Sequence, residues 1–135
     1  MIITNSPTPK TINRKLEDSN FEYYLTGSRF FGDNNQDSDT DYMTKDNPGV
    51  RKELEALGFK LDDNHDYKDK TTVIVCWHPG DEGSRNGYHV QLVVNVETKL
   101  RAQKIIKESL LPVYMATKRN GSTSDLWNFV LSLCE

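Results

Sequence analysis

The stretch from residue 21 to residue 44 reads FEYYLTGSRFFGDNNQDSDTDYMT. Residues 21–26 are aromatic and β-prone, which predicts a strand that ends in a tight turn at Gly27-Ser28. The polar, turn-forming segment that follows is typical of a loop, and a second strand is predicted over residues 39–44. The stretch therefore predicts two strands joined by a turn and a loop.

Two carboxylates and two small residues of this stretch are expected to lie close together. Asp39 and Asp41 are two positions apart, so in a strand they project to the same face, where they can share a hard divalent cation such as Mg²⁺ or Mn²⁺. Gly27 and Ser28 lie at the end of the preceding strand, and their backbone N–H groups can approach phosphate oxygens closely. These four residues predict a site for a metal ion and a phosphate group.

Outside this stretch, the chain carries further helix and strand signals. The predicted elements are a helix over residues 8–19, a helix from Asn47-Pro48 through Leu57 that stops at Gly58, strands over 71–77 and 88–96, helical material from 97 to about 118 that Pro112 kinks or splits, and a last helix from Leu126 to Cys134 capped by Asp125. The continuous apolar run in 71–77 indicates a central strand covered on both faces, and this strand and 88–96 are predicted to form a hairpin with a long loop.

In the last predicted helix the apolar residues Leu126, Phe129, Val130 and Leu133 form one stripe, which predicts the buried face. Helices before and after a mixed set of strands predict a single α+β domain over residues 1–135, with one mixed sheet of about four or five strands and helices packed on it.

Composition excludes several classes of protein. A chain of 135 residues with 36% hydrophobic residues is one globular domain. The net charge of −3 argues against a protein that coats nucleic acid. Two cysteines are too few for a disulfide framework and fit a reducing compartment. No apolar run approaches the roughly 20 residues of a membrane span, and the first residues lack the features of a signal peptide. We therefore expect a cytoplasmic protein without membrane contact.

The arrangement Gly27-Ser28, Gly32 and Ser38-Asp39-Thr40-Asp41 resembles that of the minimal nucleotidyltransferases of the DNA polymerase β superfamily. The resemblance covers residues 21–44, and it implies a nucleotidyltransferase-like fold. It also implies transfer of a nucleoside monophosphate from an NTP, with ATP as the first candidate, to a hydroxyl acceptor, with release of pyrophosphate. The acceptor stays open among a protein side chain, an RNA end and a small molecule.

The same resemblance assigns roles to residues of this stretch. Asp39 and Asp41 would be catalytic and would hold Mg²⁺ or Mn²⁺, and Gly27, Ser28 and Arg29 would lie near the triphosphate. For Arg29, pairing with Asp33 or Asp37 is an equal alternative.

The chain departs from the family pattern at one position. Such enzymes carry a third carboxylate on a later strand, and the candidate strand over residues 88–94 contains no Asp or Glu. His89 and Gln91 share one face of it, so one of them is expected at or beside the catalytic position. Gln91 can offer a neutral carbonyl oxygen, and His89 can act as a general base. The alternative is an edge strand with one polar face.

This departure leaves a second function open. The same fold can serve as a nucleotide sensor, or as an inhibitor or antitoxin that binds another protein, without catalysis. The family includes small antitoxins that nucleotidylate a partner toxin, which this length and architecture also resemble.

Positive charge gathers in the C-terminal segment. The basic residues there are Lys99, Arg101, Lys104, Lys107, Lys118 and Arg119. They form either a solvated helix face or a surface that steers a triphosphate or an RNA end to the acidic site, with Lys99 and Arg101 the first candidates. Trp127 and Phe129 are expected in the core rather than on a base-stacking surface.

Overall fold

In a computed structural model of the chain, which describes residues 12–62, 69–81 and 87–135, six helices accompany one five-stranded sheet. The elements in chain order are α1 (Ile12–Glu17), β1 (Tyr24–Thr26), α2 (Gly27–Phe31), β2 (Thr40–Lys45), α3 (Pro48–Ala56), β3 (Lys60–Leu61), β4 (Thr72–His78), β5 (Tyr88–Val93), α4 (Val96–Ser109), α5 (Leu111–Asn120) and α6 (Thr123–Cys134). The predicted α+β class with one mixed sheet is confirmed. Of the first predicted helix, residues 8–11 lie outside the described residues.

The sheet has the order β1-β2-β5-β4-β3, so β5 is its central strand. β2 and β5 are parallel, and the other neighbours are antiparallel, which confirms the predicted hairpin of β4 and β5. β4, formed by the run predicted as a central strand, has a neighbour on each side, β5 and the two-residue strand β3. It is not covered on both faces as predicted, because Val73 and Trp77 remain 38% and 39% exposed. The alternative of an edge strand over 88–94 is wrong, because β5 lies in the middle of the sheet.

Two apolar clusters lie on opposite faces of the sheet. Side chains of a strand alternate between faces, and Val90 and Leu92 of β5 pack into a cluster with α1 and α3. The second cluster joins Phe31 of α2 to α4, α5 and α6. Along β5, His89 and Gln91 alternate with Val90 and Leu92. Their side chains therefore face the opposite side of the sheet, which carries the second group of helices.

Several helix ends follow their local sequence. The side chain of Asn47 accepts a hydrogen bond of 2.8 Å from the backbone N–H of Val50, so it caps α3 as predicted. Pro112 splits the predicted long helix: α4 ends at Ser109, and α5 begins at Leu111 with the proline in its first turn, where no backbone N–H is required.

Two other predictions about helix starts are wrong. Gly27 and Ser28 do not form a turn between strands but begin the short helix α2 directly after β1. The last helix starts earlier than predicted, with Ser122 at its N-cap position, so Asp125 lies within its first turn rather than capping it.

The buried face of α6 is the predicted one only in part. As predicted, Val130 is buried and Leu126 packs against the second cluster. Phe129 and Leu133, however, are 62% and 66% exposed, whereas Trp127 and Leu131 are buried. The helix is apolar on both adjacent stripes, so the spacing of apolar residues does not distinguish them. The stripe that contains Trp127 buries the larger aromatic surface, so it faces the core. Among the described residues, no helix has the length and apolar character to cross a membrane.

Two leucines of α6 test this assignment. Leu131→Ala removes a side chain with 0% exposure, and we expect a loss of about 2–5 kcal/mol in the free energy of unfolding. Leu133→Ala removes the same group from an exposed position, and we expect a change within about 0.5 kcal/mol. Urea denaturation of both variants measures these values. Similar losses of unfolding free energy for the two variants would contradict the burial of Leu131 and the exposure of Leu133.

Candidate functional site

A pocket of about 260 Å³ lies between the sheet and the helices α5 and α6. Its lining residues are Thr26, Gly27, Ser28, Asp41 and Gln91 on the sheet and α2, and Tyr114, Lys118, Thr123 and Trp127 on α5 and α6. Four of the residues singled out from the sequence, Gly27, Ser28, Asp41 and Gln91, thus share one cavity.

Gly27 and Asp41 are in close contact because β1 and β2 pair antiparallel with Thr26 opposite Asp41. A Cβ atom on Gly27 would lie 2.3 Å from Oδ2 of Asp41, and the φ of Gly27 is +70°. L-amino acids with a side chain rarely adopt this backbone conformation. Two constraints therefore favour glycine at this position: the positive φ of its backbone and the close approach of the Asp41 carboxylate.

Asp39 lies just before β2, which begins one residue later than predicted. Its Oδ1 accepts a hydrogen bond of 3.0 Å from the backbone N–H of Gly87, and the backbone N–H of Thr40 donates to the Gly87 carbonyl oxygen. These bonds tie the start of β2 to the start of β5. The Asp39 side chain is 45% exposed, so one edge of the carboxylate pair is open to solvent.

His89 lies among three carboxylates. Its Nδ1 is 3.6 Å from Oδ2 of Asp39 and 3.4 Å from Oδ1 of Asp41, and its Nε2 is 3.4 Å from Oδ2 of Asp62. The predicted convergence of Asp39 and Asp41 thus takes place around the imidazole, which the parallel pairing of Asp41 with His89 places between them.

The pKa of His89 reflects these neighbours. Burial lowers this pKa, but contact with Asp41 and the charges of Asp39 and Asp62 raise it by more, so it lies above the ordinary value for histidine. The charged imidazolium is thereby favoured.

Asp62 was not identified from the sequence. It directly follows β3, and its backbone N–H donates to the carbonyl oxygen of Val75 on β4. The alternation of Phe59 and Leu61 after the glycine that ends α3 is the sequence signal for this short strand. It is too short to distinguish from a loop by periodicity, so the position of Asp62 required the structure.

Gln91 and Lys99 form a buried polar group under the pocket. Lys99 is not an exposed cation, as the sequence suggested, but is 0% exposed. Its ammonium donates hydrogen bonds to Oδ2 of Asp69 at 2.7 Å and to Oε1 of Gln91. The carbonyl oxygen of Gln91, which the sequence offered as a neutral metal ligand, therefore faces Lys99.

Lys99 and Asp69 are a buried ion pair. Burial lowers the pKa of Lys99, which the Asp69 charge opposes. Burial raises the pKa of Asp69, but the charge of Lys99 and hydrogen bonds from Lys99 and Thr71 lower it by more, so the Asp69 pKa lies below its ordinary value. The carboxylate is therefore charged at neutral pH, and it depends on Lys99 for compensation.

Arg29 and Lys118 lie at the outer side of the site. Arg29 contacts neither Asp33 nor Asp37: its guanidinium donates to the backbone carbonyl oxygen of Ser38 at 2.7 Å and so positions the loop that leads to Asp39. Lys118, on α5, forms an ion pair with Asp33 and lines the pocket. Of the basic residues noted in the sequence, Lys118 is a lining residue, whereas Arg101 donates to the Cys134 carbonyl oxygen.

Asp39 and Asp41 are the residues of this site that could hold a metal ion. Within the part of the chain that the structure describes, no group of three or more His, Cys, Asp or Glu side chains has the geometry to hold a metal ion alone. Mg²⁺ is commonly bound through one or two carboxylates together with substrate phosphates and water. A magnesium ion on Asp39 and Asp41 would therefore need further oxygen ligands, from water or from a bound phosphate.

Comparison of the chain with protein-family models, with curated proteins and with solved structures finds no match.

Two glycines, Gly27 at the start of α2 and Gly32 at its C-cap, test the contact with Asp41. Gly27→Ala adds a methyl group in contact with the carboxylate at a positive φ, and we expect a loss of about 2 kcal/mol or more in unfolding free energy. Gly32→Ala, at φ +84° with nothing within 4 Å of its added Cβ, isolates the backbone strain and should cost about 1 kcal/mol. Chemical denaturation measures both, and equal costs would contradict a tight contact at Gly27.

Removal of Lys99 tests the buried ion pair. Lys99→Met leaves the Asp69 carboxylate buried without its cation, and we expect a loss of about 3–5 kcal/mol at pH 7. The deficit shrinks at acid pH, where Asp69 takes up a proton and the buried charge disappears. Lys99→Met/Asp69→Asn removes both charges and should be clearly more stable than the single variant. If the two variants unfold at the same urea concentration, the pair is not coupled.

Proposed function

We propose that the protein binds a nucleoside triphosphate with Mg²⁺ and transfers its nucleoside monophosphate to a hydroxyl acceptor. The observation that supports this proposal is the contact of Gly27 with Asp41 at a pocket that Ser28 and Lys118 also line. A glycine backbone, a hydroxyl and an ammonium group are suited to phosphate oxygens, and the carboxylate beside them is suited to the metal ion that accompanies a triphosphate.

In the proposed reaction, the acceptor oxygen bonds to the α-phosphorus of the nucleotide. The bond from this phosphorus to the bridging oxygen breaks, pyrophosphate leaves, and the hydroxyl proton passes to water. Asp39 and Asp41 would hold Mg²⁺, which would neutralise negative charge on the transferring phosphoryl group.

The other residues have separate roles in this proposal. Ser28 and Lys118 bind the phosphates, and a triphosphate competes with Asp33 for the Lys118 ammonium. Arg29 positions the loop before Asp39. We assign His89 no general-base role, because its imidazole lies between Asp39 and Asp41, whose charges raise its pKa. It balances the charge of Asp39 and Asp41 instead.

A second candidate is nucleotide binding without turnover, as a sensor or as an inhibitor of a partner protein. The position of His89 favours it: a cation among Asp39, Asp41 and Asp62 neutralises carboxylates that a second metal ion would need. The acceptor, whether a protein, an RNA or a small molecule, is not specified by this site.

Calorimetric titration of each NTP with Mg²⁺ tests the proposal. We expect one NTP to bind the wild type, and Asp39→Asn/Asp41→Asn to weaken the affinity at least about tenfold, since two charge-bearing ligands are lost. The matched control is Asp37→Asn/Asp125→Asn, which removes the same charge at two exposed positions and should bind as the wild type does.

Pyrophosphate release from the same samples, with fractions of cell extract as acceptors, separates the two candidates. Release that the Asp39/Asp41 variant lacks supports transfer. Metal-dependent binding without release from any fraction supports the sensor or inhibitor. Absence of binding by the wild type would contradict both.

A further inference from the structure

Gln91 is a polar residue at the centre of the sheet. It lies on β5 between Met43 of β2 and Val75 of β4, and it is 5% exposed. Apolar side chains are the usual occupants of such a position. Gln91 is also a lining residue of the pocket, so its polar group is buried beside a cavity and not within the apolar core.

Lys99 fixes the orientation of the Gln91 carboxamide. An ammonium group has three N–H donors and no acceptor, so the atom of Gln91 that faces Lys99 is the oxygen. The other two donors of Lys99 are directed at Asp69, at 2.7 Å, and at Oγ1 of Thr72, at 3.3 Å. The amide O and N atoms are usually assigned from their hydrogen-bond partners, and here a partner of fixed chemistry allows one assignment.

The amide NH₂ group of Gln91 is consequently presented to the pocket. Within the described residues no protein group accepts a hydrogen bond from this Nε2, and it is not among the buried polar atoms that lack a partner. The pocket thus contains a hydrogen-bond donor, the NH₂ group of Gln91, whose orientation is fixed by the buried pair of Lys99 and Asp69.

The surroundings of this donor suit a flat, uncharged ring. The Lys99 ammonium that bonds to Gln91 also lies 5.2 Å from the ring centroid of Trp127, so the carboxamide and the indole are neighbours. The cation that lines the pocket, Lys118, is instead paired with Asp33, and its ammonium lies 5.7 Å from the ring centroid of Tyr114.

We propose that Gln91 is the residue that recognises the nucleobase, by donating a hydrogen bond from its fixed NH₂ group to a carbonyl oxygen or ring nitrogen of the base, and that Lys99 is its positioning residue. This inference rests on the proposed function and adds to it the residue that contacts the base, in the same pocket where Ser28 and Lys118 are proposed to bind the phosphates. The buried ion pair then serves ligand selection as well as the fold.

Titration of the wild type and of Gln91→Met with NTP and with inorganic tripolyphosphate, both with Mg²⁺, tests the inference. Methionine has a similar length and lacks the donor. We expect NTP affinity to fall at least about tenfold and tripolyphosphate affinity to stay within about twofold, because the lost bond is to the base. Gln91→Glu, which replaces the donor by an acceptor, should also weaken NTP binding while leaving tripolyphosphate binding less affected.

Two further variants complete the experiment. Gln103→Met removes another buried glutamine, 2% exposed and outside the pocket lining, and should leave both affinities unchanged whatever its effect on melting temperature. Lys99→Met/Asp69→Asn frees the carboxamide, and we expect a lower ratio of NTP to tripolyphosphate affinity, which a purely structural role of the pair would not change.

The outcomes separate this inference from the proposed function. If Gln91→Met binds the wild type's preferred NTP as tightly as the wild type, or loses NTP and tripolyphosphate affinity equally, the inference is wrong while nucleotide binding stands. If the wild type binds no NTP, the proposed function fails and this inference fails with it.

Discussion

The contact between Gly27 and the Asp41 carboxylate is the constraint on which the site depends. It requires β1 to end opposite Asp41 and the chain to turn into α2 at a residue without a Cβ atom. The helix then directs Phe31 into the cluster formed with α4, α5 and α6. Packing of those helices against Phe31 closes the pocket over Gly27 and Asp41, so the local backbone geometry and the distant helices are connected through one aromatic side chain.

Charge at the site is arranged in two separate layers. The outer layer places the His89 imidazole among Asp39, Asp41 and Asp62, at side-chain exposures between 12% and 45%. The inner layer is the pair of Lys99 and Asp69, both without exposed side-chain surface. Water screens the outer groups and not the inner ones. The outer layer can therefore exchange partners with a ligand, whereas the inner layer holds a fixed geometry.

Local sequence predicted β1, β2, β4 and β5, the cap of α3 and the grouping of Gly27, Ser28 and Asp41, because these depend on local residue types and on the side-chain alternation of a strand. The burial of Lys99 was not predictable, since a helix with several lysines gives no sign of which one meets a buried carboxylate 30 residues away in the chain. Asp62 was missed because a two-residue strand is too short for its periodicity to be recognised. The face of α6 was predicted only in part because both of its stripes are apolar, and only the packing of Trp127 decides between them.

The strands at the two edges of the sheet are also its shortest, with three residues in β1 and two in β3. An exposed edge offers unpaired backbone groups to a strand of another chain, and the length of such an edge limits how many ladder bonds can form. The longer strands β2, β5 and β4 lie between them in the strand order. Neither edge strand is therefore a long template for another chain, and β3 also carries the charge of Lys60.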